Sequence, residues 1–425
     1  MKLKSEKKVI FHIDVNSAFL SWEAVYRLRH LGGTMDLRKE VSAVGGDTAL
    51  RHGIILAKSI PAKRYQIQTG ETIWEARRKC PELILVPPNY SLYEQCSRGL
   101  MEILRSYSPL VEQYSIDEAF VDMTGTEGLW GDPLTAAGRI RDHVRDMLGF
   151  TVNIGISENK LLAKMASDFQ KPDQTHTLWK SEIQEKMWPL PAGELFFAGR
   201  ASTAKLSRLG IRTIGELART EPGILKAHLK KQGELLWAFA NGRDVSVVQS
   251  EPPANKGYGN STTTAFDVED ASTARLVLLA LSETVGARLR AAKVRAEVIA
   301  VGIRTCDFQY SSHQMTLPDG TDITAEIHRY ACRLFEELWD GRAIRHLGIH
   351  TGRIRDGSGA RQMNMFEDTD YEKLRSMDAA VDRIRGRYGA DAVRRAVFAG
   401  SPIDHMSGGI SREKRTVDYT KIRVK

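Results

Sequence analysis

Long apolar runs are missing from this chain of 425 residues. A membrane span needs roughly 18 or more consecutive apolar residues, and a signal peptide needs an uninterrupted apolar segment. The apolar stretch near the N-terminus, residues 9–15, is interrupted by His12 and Asp14. We therefore expect no membrane partner and a cytoplasmic location.

Cysteine is also sparse. The four cysteines lie far apart, and no two of them form a CxxC pair; they are Cys80, Cys96, Cys306 and Cys332. Such spacing predicts neither a disulfide framework nor a zinc site, so reduced thiols are expected. His346 and His350 are spaced to share one face of a helix, but their apolar, glycine-bearing surroundings favour a strand over a metal site.

Acidic residues are outnumbered by basic ones. The chain has 61 Lys plus Arg against 53 Asp plus Glu, a formal net charge of +8. This excess favours a partner that carries phosphates, because neutralising them releases counterions. Many basic proteins bind no nucleic acid, so charge alone identifies nothing. With 42% hydrophobic residues, the chain can bury more than one core and form about two to four domains.

Apolar periodicity predicts layered units of strands and helices. Residues 9–15 have the pattern of a buried strand that leads into a helix, and VEQYSIDEAFVDM predicts a hairpin around a polar centre. Residues 185–250 are predicted to be mostly helical, and Pro252 and Pro253 mark an extended linker. The other predicted helices are 73–80, 93–107, 134–148, 160–169, 274–292, 324–338 and 371–388, and the other strands are 151–156, 297–304 and 348–354.

Three carboxylates stand where two of these strands begin or end. Asp14 falls at the end of the first strand, and Asp117 and Glu118 lie near the turn of the hairpin. Two Mg²⁺ ions about 3.5 to 4 Å apart need oxygen ligands of this kind to stabilise both the attacking and the leaving oxygen of a nucleotidyl transfer. A single acid at a strand end is more often a solvated cap or a salt-bridge partner, so the flanking residues decide.

Those flanking residues resemble a known family. FHIDVNSAF is similar to the first motif of the Y family of translesion DNA polymerases, and YSIDEAFVDMTG is similar to the family's Ser-Ile-Asp-Glu hairpin. The chain looks like a bacterial member, close to a UmuC-like Gram-positive subgroup. The resemblance implies that Asp14, Asp117 and Glu118 are catalytic metal ligands, that the carbonyl of Val15 is a further ligand, and that the cofactor is a pair of Mg²⁺ ions.

Phe19 lies five residues after Asp14, at the position of the family's steric gate. There the resemblance implies an aromatic ring that packs against the deoxyribose and clashes with the 2′-hydroxyl of a ribonucleotide. The alternative is an ordinary core phenylalanine.

Basic residues supply the candidates for triphosphate binding. GISENKLLAKMASDFQKPD resembles the family's helix that carries a triphosphate-binding lysine before a proline, which implies this role for Lys171. By charge alone, Lys160, Lys164 and Lys171 could equally form a solvated helix face that contacts DNA phosphates.

The segment LAKSIPAKRYQIQTGET, the predicted fingers region, departs from the family pattern. A tyrosine and an arginine commonly contact the triphosphate there, whereas this chain has Ile60 and Lys63. Lysine keeps the charge but loses the bidentate fork of arginine. Lys58, Lys63 and Arg64 are therefore the nucleotide-binding candidates of this segment.

AGRASTAKLSRLGI resembles the helix-hairpin-helix of the family's thumb. The family's Gly-x-Gly brings backbone N–H groups close to a DNA phosphate, and here Gly199 is present but Ala201 replaces the second glycine. We expect a DNA contact with a weaker phosphate site. An ordinary helical core is the alternative.

QMNMF, residues 362–366, follows a Gly-Ser stretch beyond the last predicted domain. It resembles the peptide by which bacterial polymerases bind the sliding clamp, with Gln362 as a polar anchor and Met365 and Phe366 as apolar ones. Further on, the predicted helix 371–388 has an apolar stripe that either binds a partner or packs on the body. Residues 412–425 are expected to be a mobile basic tail.

Together these patterns predict an α/β (α+β) multidomain protein: a right hand with a ferredoxin-like palm, small fingers, a helical thumb and an α/β little finger. The resemblance implies a monomeric, template-directed, error-prone DNA polymerase of translesion synthesis whose partners are primer-template DNA, dNTP and the sliding clamp. Two alternatives remain: a palm-type nucleotidyl cyclase, and a clamp-bound DNA-binding accessory without polymerase activity. The predicted domains are palm 1–30 and 89–180, fingers 31–88, thumb 181–250, linker 251–257, little finger 258–355 and tail 356–425.

Overall fold

The structure, a computed structural model, describes residues 8–46, 53–357 and 370–406. No helix within these ranges is long and apolar enough to cross a membrane. The strands, numbered along the chain, are β1 (Ile10–Val15), β2 (Ser42–Gly45), β3 (Ile55–Lys58), β4 (Ile84–Val86), β5 (Val111–Gln113), β6 (Glu118–Asp122), β7 (Val152–Ser157), β8 (Thr175–Thr177), β9 (Gly259–Val268), β10 (Val294–Thr305), β11 (Tyr310–Thr321) and β12 (Ile344–Asp356).

The helices are numbered in the same way, and short one-turn helices are left without labels. They are α1 (Ala18–His30), α2 (Ile60–Lys63), α3 (Ile73–Lys79), α4 (Tyr90–Tyr107), α5 (Glu127–Trp130), α6 (Pro133–Leu148), α7 (Lys160–Ser167), α8 (Arg200–Arg208), α9 (Ile214–Arg219), α10 (Pro222–Leu229), α11 (Lys231–Ala240), α12 (Ala271–Ala291), α13 (Thr324–Leu338) and α14 (Tyr371–Tyr388).

The first sheet has the order β5-β6-β1-β7-β8 and is antiparallel except between β7 and β8. Side chains alternate between the two faces of a strand, so Phe11, Ile13 and Val15 of β1 enter the core that α4 and α6 cover. Asp14 therefore belongs to the opposite face, against which α7 packs. That helix lies so close to β7 that a Cβ added at Gly155 would overlap the carbonyl oxygen of Ala163.

Helix α7 begins at a cap and ends before a proline. The side chain of Asn159 accepts a hydrogen bond from the N–H of Leu162, which satisfies one of the first free amide groups. The prediction extended this helix to residue 169, but it ends at Ser167. Lys171 is followed by Pro172, and helical geometry is disfavoured for a residue that precedes a proline. The helix therefore does not continue through this segment.

A smaller sheet, ordered β3-β2-β4, has its own core together with α2 and α3. Ser59 caps α2, and Thr72 with Glu75 forms a reciprocal capping box on α3. The predicted helix over residues 73–80 is thus confirmed as α3.

Helices α8 to α11 form a mainly helical core, to which α7 also contributes Leu161, Leu162, Met165 and Ala166. The predicted turn between two short helices is confirmed: Gly210 has φ of +80°, a conformation that favours glycine, and it joins α8 to α9. Gly199 caps α8, and Ala201 lies in its first turn. Residues 251–257 carry no helix or strand, as the two prolines predicted.

The last sheet has the order β11-β10-β12-β9, with α12 and α13 on its core face. The predicted strands 297–304 and 348–354 and helices 274–292 and 324–338 are confirmed within it. The strand that was favoured for His346 and His350 is β12. Strands β9 and β11 were not predicted, because β9 is rich in threonine and β11 is mostly polar and contains Pro318 and Gly320.

Helix α14, predicted at residues 371–388, packs on the body of the protein through charged groups. Arg290 of α12 pairs with Asp378 at 3.0 Å and with Asp382 at 2.6 Å, and the buried Glu283 pairs with Arg385 at 3.1 Å. The apolar stripe contributes less, since Met377 is 42% exposed. The helix thus packs on the body through ion pairs, and whether the apolar stripe binds a partner stays a prediction.

Candidate metal and nucleotide site

The two predicted carboxylate motifs meet at one end of the first sheet. In the antiparallel register of β1 and β6, Asp14 lies directly opposite Glu118. The next residue, Val15, donates its N–H to the carbonyl oxygen of Asp117 at 3.0 Å. The register therefore brings together all three acids that the sequence analysis singled out.

Ser115 fixes the turn that carries Asp117 and Glu118. Its hydroxyl donates to Asp117 Oδ1 at 2.6 Å and accepts from the backbone N–H groups of Asp117, at 3.3 Å, and Glu118, at 3.1 Å. This local serine turn fixes the carboxylate of Asp117 and the backbone of both acids before any ligand binds. The sequence analysis assigned no role to Ser115, although a serine two residues before an aspartate is a recognisable turn signal.

Each of two carboxylates has a lysine beside it. Lys171 Nζ lies 3.1 Å from Asp14 Oδ1 and 2.8 Å from Asp168 Oδ1, and Lys164 Nζ lies 2.8 Å from Glu118 Oε1. The hypothesis of a solvated lysine face on α7 is wrong for Lys164, because this side chain is only 8% exposed. Lys160, on the same helix, forms an ion pair with Glu112 at 2.7 Å.

Burial dominates the electrostatics of the site. It raises the pKa of Asp14 to about 7; Lys171 opposes this shift, and the neighbouring Glu118 carboxyl adds to it. Burial lowers the pKa of Lys171, but the charges of Asp14 and Asp168 outweigh it, so the net pKa is raised. A buried Asp14 carboxylate whose negative charge is disfavoured fits a hard divalent cation, which would stabilise that charge.

The three carboxylates do not form one compact ligand set. Within the described ranges, Asp391, Asp404 and His405 alone have potential ligand atoms that all lie within 4.8 Å of one another. Because Asp14 and Glu118 are engaged by Lys171 and Lys164, both must turn partly away from these lysines to bind a shared cation.

A network of amides holds the segment that carries Lys171. Asn16 donates to Asn153 Oδ1 at 3.1 Å, and its own Oδ1 accepts from the N–H of Asp173 at 2.9 Å. Asn153 in turn donates to the carbonyl oxygen of Gln170 at 2.6 Å. The sequence analysis missed both asparagines, because their partners lie more than 100 residues away or across a loop.

A cleft of about 630 Å³ opens next to Asp14 and Asp117. Phe19 lines it, and its ring stacks on Tyr93 at a centroid distance of 4.3 Å and meets Tyr90 edge-on at 5.9 Å. Phe19 is partly buried against the core, so its ring both packs and borders the cleft. The stacking fixes the ring in place beside the carboxylates.

The other wall of the cleft comes from the small sheet and α2. Lys58, Ile60 and Lys63 line it, and burial followed by the charge of Lys63 lowers the pKa of Lys58. Arg64, by contrast, is exposed at the end of α2 and does not line the cleft. Arg38 does line it, which the sequence analysis missed; its guanidinium is paired with Asp36 at 2.9 Å.

The predicted clamp-binding residues Gln362, Met365 and Phe366 lie outside the described residues. The same holds for the basic tail, residues 412–425.

Comparisons with known proteins agree in one assignment. Residues 13–168 match the impB/mucB/samB family, and residues 255–365 match the C-terminal domain of that family. DNA polymerase IV of Clostridium acetobutylicum is 44% identical over 392 residues, which cover 92% of this chain and 98% of the relative. DNA polymerase IV 2 of Bacillus subtilis is 35% identical over 399 residues, which cover 92% of this chain and 94% of the relative.

A solved structure shares the fold. A Y-family DNA polymerase chimera superposes with a TM-score of 0.70, covering 82% of this chain and 99% of its own, at 20% identity. The predicted α/β multidomain class is thereby confirmed.

Proposed function

The chain belongs to the impB/mucB/samB family of Y-family DNA polymerases and is a translesion DNA polymerase, and on this premise we propose how its residues act. The primer 3′-hydroxyl attacks the α-phosphate of a dNTP in the cleft beside Asp14, with pyrophosphate as the leaving group. The observation that carries the proposal is the β1–β6 register, which sets Asp14 opposite Glu118 at the end of the sheet.

Asp14, Asp117 and Glu118, together with the carbonyl of Val15, would hold two Mg²⁺ ions. When bound, these ions activate the attacking oxygen and neutralise charge on the leaving one. Ser115 keeps the two acids of the turn in place through hydrogen bonds to both.

Four basic residues are proposed to receive the triphosphate: Lys58, Lys63, Arg64 and Lys171. Lys171 is the main candidate, since it already lies against Asp14 and can exchange that carboxylate for a phosphate oxygen. Lys58 and Lys63 border the same cleft from the opposite wall. Arg64 has the least support, because it would have to reach in from outside.

The proposed domains are palm (1–30, 89–180), fingers (31–88), thumb (181–250) and little finger (258–355), with 251–257 as linker and 356–425 as tail. Most of each domain's buried residues belong to one hydrophobic core, although α7 of the palm also contributes to the core of the thumb, and Phe398 of the tail to that of the little finger. We further propose that the protein is a cytoplasmic monomer. Its net charge of +8 favours primer-template DNA and dNTP as partners.

Primer extension tests the proposal against both alternatives. Full-length protein with Mg²⁺, a primed template and dNTP should lengthen the primer by residues that the template specifies. A nucleotidyl cyclase would consume triphosphate without DNA, and an accessory protein would bind the primed template without extending it. Either of these results, obtained with folded protein, would overturn the polymerase assignment.

The sliding clamp is the further proposed partner, bound through Gln362, Met365 and Phe366. Replacing these three residues together by alanine should reduce the ratio of synthesis with clamp to synthesis without clamp to about 1, because both the polar and the apolar anchors are lost. Met363→Ala is the matched control and should keep the ratio of the wild type. Undiminished stimulation of the triple variant would rule out this peptide.

A further inference from the structure

Lys164 is a buried cation that the reaction described above leaves without a role. It projects from α7 and is 8% exposed, and its Nζ lies 2.8 Å from Glu118 Oε1. One turn earlier on the same helix, Lys160 pairs with Glu112 instead, at 2.7 Å. Burying a lysine is costly unless a partner compensates it, so the contact with Glu118 is a specific one.

Two aromatic rings complete the surroundings of this ammonium group. Nζ of Lys164 lies 5.5 Å from the ring centre of Phe196 and 5.9 Å from that of Tyr114. Both distances permit a cation–π attraction. The cation is therefore held from one side by a carboxylate and from others by π-faces, which restricts where it can move.

The two rings come from different parts of the fold. Tyr114 belongs to the turn before β6 and donates its N–H to the carbonyl oxygen of Glu118 at 3.0 Å. Phe196 belongs to the segment before α8, in the helical core, and its N–H points to the sulfur of Met165 at 3.4 Å. Lys164 thus lies where the proposed thumb rests on the proposed palm.

We propose that Lys164 is a positioning residue for Glu118, and that Phe196 couples the seating of the thumb to the orientation of this carboxylate. The inference rests on the proposed role of Glu118 as a metal ligand. Lys164 holds Oε1 and thereby limits the rotation of the carboxylate, whose Oε2 lies 3.9 Å from Nε2 of the buried His12. Its positive charge also opposes the binding of a dication nearby.

Lys164 thus has two effects: its charge weakens the binding of the cation, and its contact with Glu118 favours turnover by orienting the carboxylate. Lys164→Met removes the charge but keeps most of the stem, so Mn²⁺ should bind about tenfold more tightly to the protein free of DNA and nucleotide. The maximal rate of single-turnover extension should nevertheless fall by about tenfold or more, because Glu118 is no longer oriented. Lys164→Arg keeps the charge and should restore the Mn²⁺ affinity of the wild type.

Mn²⁺ titration of the full chain, followed by the electron paramagnetic resonance signal of free Mn²⁺, tests the inference without relying on activity. Lys160→Met is the matched control: it removes an equally paired lysine from the same helix and should leave Mn²⁺ affinity unchanged. Unchanged or weaker Mn²⁺ binding by Lys164→Met would overturn the proposal, as would an equal gain in Lys160→Met.

Glu118→Gln separates this inference from the proposed function. If Glu118→Gln loses Mn²⁺ affinity while Lys164→Met binds as the wild type does, the metal site stands and only the role of Lys164 is wrong. If Glu118→Gln also binds as the wild type does, the metal role of Glu118 is wrong.

Phe196→Leu tests the link to the thumb and applies even if Lys164→Met fails to fold. Losing the ring should shift Mn²⁺ affinity and turnover in the same directions as Lys164→Met, but by less. The double variant should then equal Lys164→Met alone, since both changes act through one contact. Additive effects, or no effect of Phe196→Leu, would refute the coupling.

Discussion

Asp117→Asn should slow primer extension by roughly a thousandfold or more, a loss of about 4 kcal/mol of transition-state stabilisation. The substitution keeps the shape of the side chain, and the amide oxygen can still accept the hydrogen bond that Ser115 donates at 2.6 Å. What it removes is the negative charge that would hold a divalent cation beside the cleft. The rate should be measured in single-turnover extension at saturating dNTP.

Asp122→Asn is the matched control for this prediction. Asp122 ends the same strand, β6, four residues from Glu118, and its carboxylate accepts a hydrogen bond from the N–H of Thr124 at 3.0 Å. It has a structural contact of similar quality but lies far from the cleft, so extension should stay close to that of the wild type. Comparable activity of Asp117→Asn and the wild type would contradict the metal site.

Phe19→Ala should lower discrimination against ribonucleotides by roughly a hundredfold, which corresponds to about 2.7 kcal/mol. The ring borders the cleft and is held by Tyr93 and Tyr90, so it cannot readily move aside for a 2′-hydroxyl. Removing it opens that space while the carboxylates stay in place. For dNTP and for the matching rNTP, the maximal rate of incorporation is divided by the apparent dissociation constant, and the two quotients are compared.

Phe19→Leu distinguishes a gate from a core residue. A leucine keeps bulk at this position and should keep most of the sugar discrimination, although both variants lose the stacking on Tyr93 and some stability. Unfolding temperatures of both variants report that loss separately. Discrimination unchanged in Phe19→Ala would show that Phe19 acts only in packing.

The sequence predicted the carboxylate centre well because its geometry follows from local rules. Alternation along β1 sets the face of Asp14, and the Ser-x-Asp-Glu turn sets Asp117 and Glu118, so one strand pairing was enough to join them. Helix bounds such as Thr324–Leu338 followed from clear apolar periodicity. The position of Arg64 in the fingers segment, by contrast, did not reveal that this residue does not line the cleft.

What the sequence could not predict depends on partners distant along the chain. Lys164 has the spacing of a solvated helix residue, and only the approach of Glu118 and of Phe196 makes it a buried one. Strand β11 is polar enough to resemble a loop, and it forms because β10 beside it offers unpaired backbone groups. Asn16 likewise acquires its role only when residues 153 and 173 fold against it.

The amide network around Asn16 has a thermodynamic consequence for catalysis. Asn16 and Asn153 fasten the backbone on both sides of Lys171. In the role proposed for Lys171, the lysine would move from Asp14 to a phosphate oxygen by rotating its own side chain, so nucleotide binding would exchange one ionic partner for another without ordering a loop. The entropic penalty of assembling this part of the pocket is met during folding, which leaves more of the binding free energy for affinity.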